Sequence, residues 1–176
     1  VSMESSKTGN AQVDATVATV VTDADGKIVA CRIDVAQNKM NVAEGAVDTT
    51  ATFQTKMEKG DAYGMAAAVN YGMDWNNDGV VKEWYDQAKA FEAYVVGKTV
   101  AEVEAMTTKQ AATEGTGAKY QISTDDALLA AGCTTQIADF RDAVVKACKD
   151  EQGVSFKAAK DSFKLGVAAT TAVDAK

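Results

Sequence analysis

Two alternating runs around a tight turn constrain this chain more than any other feature. From Gln12 to Thr22, Val13, Ala15, Val17, Thr19 and Val21 share one face, and Asp14, Thr16, Ala18, Val20 and Thr22 share the other. Asp23-Ala24-Asp25-Gly26 follows, with a glycine where the turn needs a left-handed backbone. Alternation resumes over Lys27–Ala36, with Ile28, Ala30 and Arg32 opposite Val29, Cys31, Ile33 and Val35. Period-two runs flanking an Asp/Gly turn predict an antiparallel hairpin. Short apolar runs at Met40–Val42 and Thr49–Phe53 are candidate third and fourth strands.

The middle of the chain changes period. Glu83–Val96 spaces Trp84, Ala88, Phe91 and Val95 as a helix does, with Gly97 at the C-terminal cap position. Thr99 with Glu102 makes a capping box for a second helix striped by Val100, Val103 and Met106. Thr107–Tyr120 reads as a loop, and Thr124 as the cap of a short helix over Asp125–Ala131. Ala138–Lys149 is the last clear helix, with Phe140, Val144, Ala147 and Cys148 facing inward. Leu165–Val173 is uncharged and β-branched, a strand separated from the hairpin by the helical middle. Strands followed by helices, without regular alternation, predict an α+β fold: an antiparallel sheet led by the N-terminal hairpin, packed by two or three helices, with a C-terminal strand. The 176 residues fit a single domain, with Val1–Asn10 a flexible arm and 165–176 the strand and tail.

Composition excludes more than it proves. The chain has no histidine, which removes Ser-His-Asp and Cys-His catalysis and the usual zinc hydrolase sites. Three cysteines are too few for a four-thiolate zinc or iron–sulfur centre. A net charge of -7, with Arg32 and Arg141 the only arginines, argues against nucleic acid as a partner. The longest uncharged stretches, Ala62–Met73 and Ala127–Ala138, fall short of the roughly 20 residues a membrane span needs. Opening at Val1 with no apolar signal core, the chain reads as a processed or trimmed form. Its Ala, Thr and Val richness, its acidity and the absence of Pro suit an extracellular or cell-surface protein.

Several constellations could carry chemistry. Asp74, Asn76 and Asp78, with Gly79 after them, open like a calcium loop with oxygen ligands at alternate positions. Position 12 of that loop is Tyr85 rather than a bidentate Glu, and an Asx/Gly turn leading into the next helix accounts for the same residues. A helix between Cys133 and Cys148 separates them by roughly 15 Å, too far for a disulfide. Cys31 could reach either, and three small buried thiols are the simpler expectation. Asp125, Asp126, Asp139 and Asp142 could pair as acid and base, or cap helix starts. Trp84, Tyr85, Phe91 and Tyr94 could line a planar cofactor, or form core.

The segments VVTDADGKIVACRIDV, GDAYGM, KEWYDQAKAFEAYVVGKT and GCTTQIADFRDAVVKA resemble repeat units of Gram-positive cell-surface lipoproteins. Those units look related to the small FMN-binding domain of bacterial extracellular electron-transfer proteins, and the resemblance covers roughly Ala11–Lys149. In flavinylated relatives a Ser-Gly-Ala-Thr stretch carries FMN through a phosphoester on its final threonine. The resemblance therefore implies flavin at Gly132, Cys133 and Thr134, with Thr134 the attachment point; Ala131 and Cys133 stand where the pattern has Ser and Ala, and Leu128 where it has an acid. A phosphate there would want helix-start amides and cations, and Arg141 and Lys146 are the cations nearby in sequence. In similar surface proteins the stretch like KLGVAATTAV starts a unit, whereas here it comes last. It could close the sheet within the chain beside Gln12–Thr22. Alternatively, Leu165, Gly166, Val167, Ala168, Ala169, Thr170, Thr171, Ala172 and Val173 could join the sheet of a second copy, making a head-to-tail homo-oligomer. The expected function is a non-catalytic extracellular or cell-envelope structural protein without a cofactor, not an enzyme; the alternative is an FMN-binding electron carrier of the cell surface.

Overall fold

The computed structural model describes residues 9–43, 46–48, 53–66, 81–111, 120–158 and 161–175. The expected hairpin is its spine. Strand β1 (Gly9–Thr22) pairs antiparallel with β2 (Ile28–Ala43) from Gly9↔Val42 to Val21↔Ala30, with a bulge at Thr22. Asp23 makes the turn: its Oδ1 accepts the Asp25 and Lys27 amides at 3.0 and 2.8 Å, and Gly26 takes φ 76°. Two expectations shift here. Gly9 and Asn10 belong to β1 rather than to a flexible arm, and Met40–Val42 continues β2 instead of starting a new strand, because the alternating ladder with β1 runs on without a break. The two-residue β3 (Ala46–Val47) folds back on the end of β2.

After a helical turn α1 (Lys56–Lys59) and a 3-10 turn (Gly60–Tyr63) come α2 (Trp84–Val95) and α3 (Val100–Glu104). Both halves of the predicted capping box at Thr99 and Glu102 are made. A short pair forms around what reads as a loop in sequence, with β4 (Thr108–Gln110) inside its start and β5 (Gln121–Ser123) just after its end. Helix α4 (Asp126–Ala130) is capped by Asp125, one residue later than expected, and α5 (Ala138–Cys148) follows. Strands β6 (Val154–Ala158) and β7 (Asp161–Ala175) complete a sheet of order β3-β2-β1-β7-β6, antiparallel throughout.

Of the two pairings open for the C-terminal strand, the chain adopts the internal one. Twelve residues of β7, Lys164 to Ala175, pair with Thr22 to Ala11 of β1.

Helices α2 and α5 lie on one face of this sheet. Thr16, Ala18 and Val20 of β1 and Cys31, Ile33 and Val35 of β2 are buried beneath them. Small side chains on the strands let the helix backbones approach closely, and three rings fill the space between. Phe140 meets Trp84 and Phe91 edge-on, at centroid separations of 5.7 and 5.5 Å. Trp84 and Phe91 are thus core, not a cofactor wall. At Gly166 of β7 the two backbones meet: a Cβ there would sit 1.9 Å from the Ala147 carbonyl oxygen of α5. A buried carboxylate ties α2 to the edge of β2, where Glu92 accepts the Ile33 amide at 2.8 Å and the Arg32 guanidinium at 2.6 Å.

Candidate functional site

The loop joining α4 to α5 carries Gly132, Cys133 and Thr134, and the geometry around it follows from how α4 ends. Its last turn closes when the Gly132 and Cys133 amides donate back to the Leu129 and Leu128 carbonyls, at 2.9 and 3.2 Å. Gly132 reaches this closure at φ 92°, a conformation that disfavours any side chain. The chain then turns inward. Cys133 is fully buried, and that burial pushes its thiol up to about 12, only partly offset by a hydrogen bond from the Thr135 backbone. It is a packed, protonated thiol rather than a nucleophile. Thr134 comes back out to a half-buried position just ahead of α5.

Two residues from the start of α2 meet this loop. The Lys82 side chain folds over Gly132, with its Cε and Nζ 2.5 Å from where a Cβ would lie, and its ammonium donates to the Ala131 carbonyl at 2.9 Å. Gln87, with no exposed surface, accepts both the Thr134 amide (3.0 Å) and the Thr134 hydroxyl (3.3 Å) on Oε1. Its Nε2 donates to the Lys82 carbonyl at 2.9 Å and to the Met65 sulfur at 3.1 Å. Met65 is held in turn by Glu83, whose carboxylate accepts the Met65 and Ala66 amides.

The cations expected from sequence are elsewhere. Arg141 donates to the Met106 carbonyl and to its neighbour Asp142, and Lys146 reaches across to the Ala169 carbonyl of β7. Both sit on α5 with their side chains directed away from the loop by these partners. Lys82 takes their place from 50 positions earlier in the chain, and only the packing of α2 against α4 brings it there. The Thr134 hydroxyl and, two residues before it, the unsubstituted glycine under the Lys82 ammonium are the groups that would hold the phosphate end of an FMN. Any side chain at position 132 would displace the lysine.

The other sequence candidates fall into place around this loop. Asp74, Asn76 and Asp78 lie outside the described residues. Among the described residues no three Cys, Asp or Glu side chains converge as metal ligands would. Asp125 is a helix cap, its Oδ1 accepting the Ala127 and Leu128 amides at 2.9 and 3.2 Å, and its other oxygen accepts the Tyr94 hydroxyl. Asp142 pairs with Arg141. Cys31 is buried and its thiol is pushed up to about 12, by burial first and then by the Glu92 charge, while Cys148 is half-buried; the three cysteines form no disulfide. No described helix is long and apolar enough to cross a membrane.

No family model and no solved structure matches the chain. It is 37% identical over 103 residues to a chlorophenol reductase of Desulfitobacterium hafniense, a match covering 51% of this chain and 28% of that protein. The similarity thus spans little more than a quarter of the relative's length. It nevertheless overturns the expectation that the chain is not an enzyme. That expectation came chiefly from the missing histidine, and the loss of imidazole removes only histidine-dependent acid–base and nucleophilic routes, without touching electron transfer. A reductase moves electrons, and the FMN implied by the sequence resemblance stays open as the group that carries them.

Proposed function

We propose that this chain is an FMN-bearing electron-transfer domain of a reductase system, working outside the cell or at its surface, with the flavin held through its phosphate on Thr134. The observation that carries the proposal is the Thr134 hydroxyl standing beside a glycine turn over which the Lys82 ammonium is folded. Lys82 would neutralise phosphate charge at the glycine turn, whereas Arg141 and Lys146 reach to Met106 and to β7. Gln87 holds the threonine, and the buried Cys133 thiol stays protonated at neutral pH and does not compete as a nucleophile. Bound flavin would supply reversible electron transfer that needs no histidine. The resemblance of Ala11–Lys149 to flavin-binding surface domains and the partial match to a protein named as a reductase support the same reading.

The test is optical. Protein purified from its native cells should be yellow, with flavin bands that survive denaturation and bleach on reduction. A colourless protein from those cells would overturn the proposal.

A further inference from the structure

The Gln87 carboxamide has one orientation open to it. The Lys82 carbonyl can only accept and the Thr134 amide can only donate, so Nε2 must face Lys82 and Oε1 must face Thr134. Oε1 carries no hydrogen, so at the Thr134 hydroxyl, 3.3 Å away, it is the threonine that donates. Its proton is thereby committed to the buried Gln87, on a threonine that is itself half-buried. The Gln87 amide is itself fixed by the Lys82 carbonyl and the Met65 sulfur, and has no exposed surface on which to relax.

We propose that Gln87 is a positioning residue that presents the Thr134 oxygen for attachment of a phosphate-linked group. The inference rests on the assignment of Thr134 as the flavin-bearing residue. Esterification by a flavin dinucleotide forms the Thr134 Oγ–P bond and breaks the donor's pyrophosphate bond, the nucleoside monophosphate leaving and the hydroxyl proton passing to solvent; the 3.3 Å bond is forfeited while the Thr134 amide keeps its hold on Oε1, so the loop is anchored before and after loading. The same carboxamide joins the residue ahead of α2, the Met65 turn and the start of the α5 segment. That accounts for a fully buried polar side chain on a helix whose other buried residues are Trp84, Ala88, Phe91, Val95 and the Glu92 that ties α2 to β2.

Two variants made in the native cells separate positioning from packing. Gln87→Met keeps the volume and removes both partners of Thr134 and Lys82. Gln87→Glu keeps an acceptor for Thr134 and gives up the donor to Lys82. Covalent flavin per polypeptide, the melting temperature and hydrogen exchange at the Thr134 amide are measured on each. The expected result is loading reduced about tenfold or more in Gln87→Met, with faster exchange at Thr134, and loading largely retained in Gln87→Glu despite a similar loss of melting temperature. If Gln87→Met does not accumulate folded, Gln87→Asn, which withdraws the oxygen by one methylene, should show the same loss. Normal loading of Gln87→Met or Gln87→Asn would overturn the inference, as would equal losses in Glu and Met variants that follow melting temperature alone. Wild-type protein without flavin would remove the assignment of Thr134 and this inference with it.

Discussion

Asp125 serves two elements with one carboxylate. One oxygen caps α4 and the other receives the Tyr94 hydroxyl of α2, so the helix that leads into Gly132 is fastened to the helix that supplies Gln87. The Tyr94 bond, then the cap amides, hold the Asp125 carboxyl below the usual carboxylate range. Burial, reinforced by Asp125, pushes Tyr94 up to about 12. The signs follow from linkage. A carboxyl lowered on folding stabilises the fold above the usual carboxylate range and loses that contribution as pH falls through its folded value. A tyrosine raised on folding stabilises it below the ordinary tyrosine range and loses that as pH climbs towards 12. Asp125→Asn, which can still cap, should therefore flatten part of the fall in melting temperature on acidification and bring the Tyr94 titration down in the alkaline range. Melting curves from neutral pH to pH 3 and an ultraviolet tyrosine titration check both. An unchanged acid slope together with an unmoved Tyr94 would contradict the assignment.

At the level of elements, α5 and β7 meet backbone to backbone at Gly166. Gly166 is needed because the Ala147 carbonyl occupies the space a side chain would take, and backbone cannot swing aside as a lysine can. Gly166→Ala should destabilise the protein by about 1–3 kcal/mol, read as a lower denaturation midpoint; a neutral effect would mean that α5 sits further from the sheet. This contact also marks what sequence could reveal. The hairpin, the capping box at Thr99 and the spans of α2 and α5 were legible because each is set by local period and local hydrogen bonding. The cap of α4 shifted by one residue because Thr124 and Asp125 are both competent, and Asp125 also gains Tyr94. Strand β6 gave no local signal, since a five-residue strand is fixed by its partner β7 rather than by its own pattern. The glycine loop was visible as a motif. Lys82 and Gln87 were not, because nothing in KEWYDQ distinguishes a lysine and a glutamine that meet a loop nearly 50 residues later from residues facing water.

For the whole molecule, the architecture is a sheet covered on one face by a helical layer that holds the candidate site. The sheet is closed in sequence by its two ends, with β1 from the start and β7 from the finish lying side by side over twelve residues. That leaves the helical middle free to place α2 and the α4–α5 loop against each other, and the candidate site draws on that layer alone. A chain without histidine lacks imidazole chemistry, and the proposed flavin would bring a chemistry that does not need it. The most direct measurement of this account is the intact mass of the protein from its native cells, with peptide mapping, compared with Thr134→Ala. The account predicts an increment of one FMN on the peptide containing Thr134 and none in the variant. A wild-type mass equal to that of the bare polypeptide, or an increment that persists in Thr134→Ala, would contradict it.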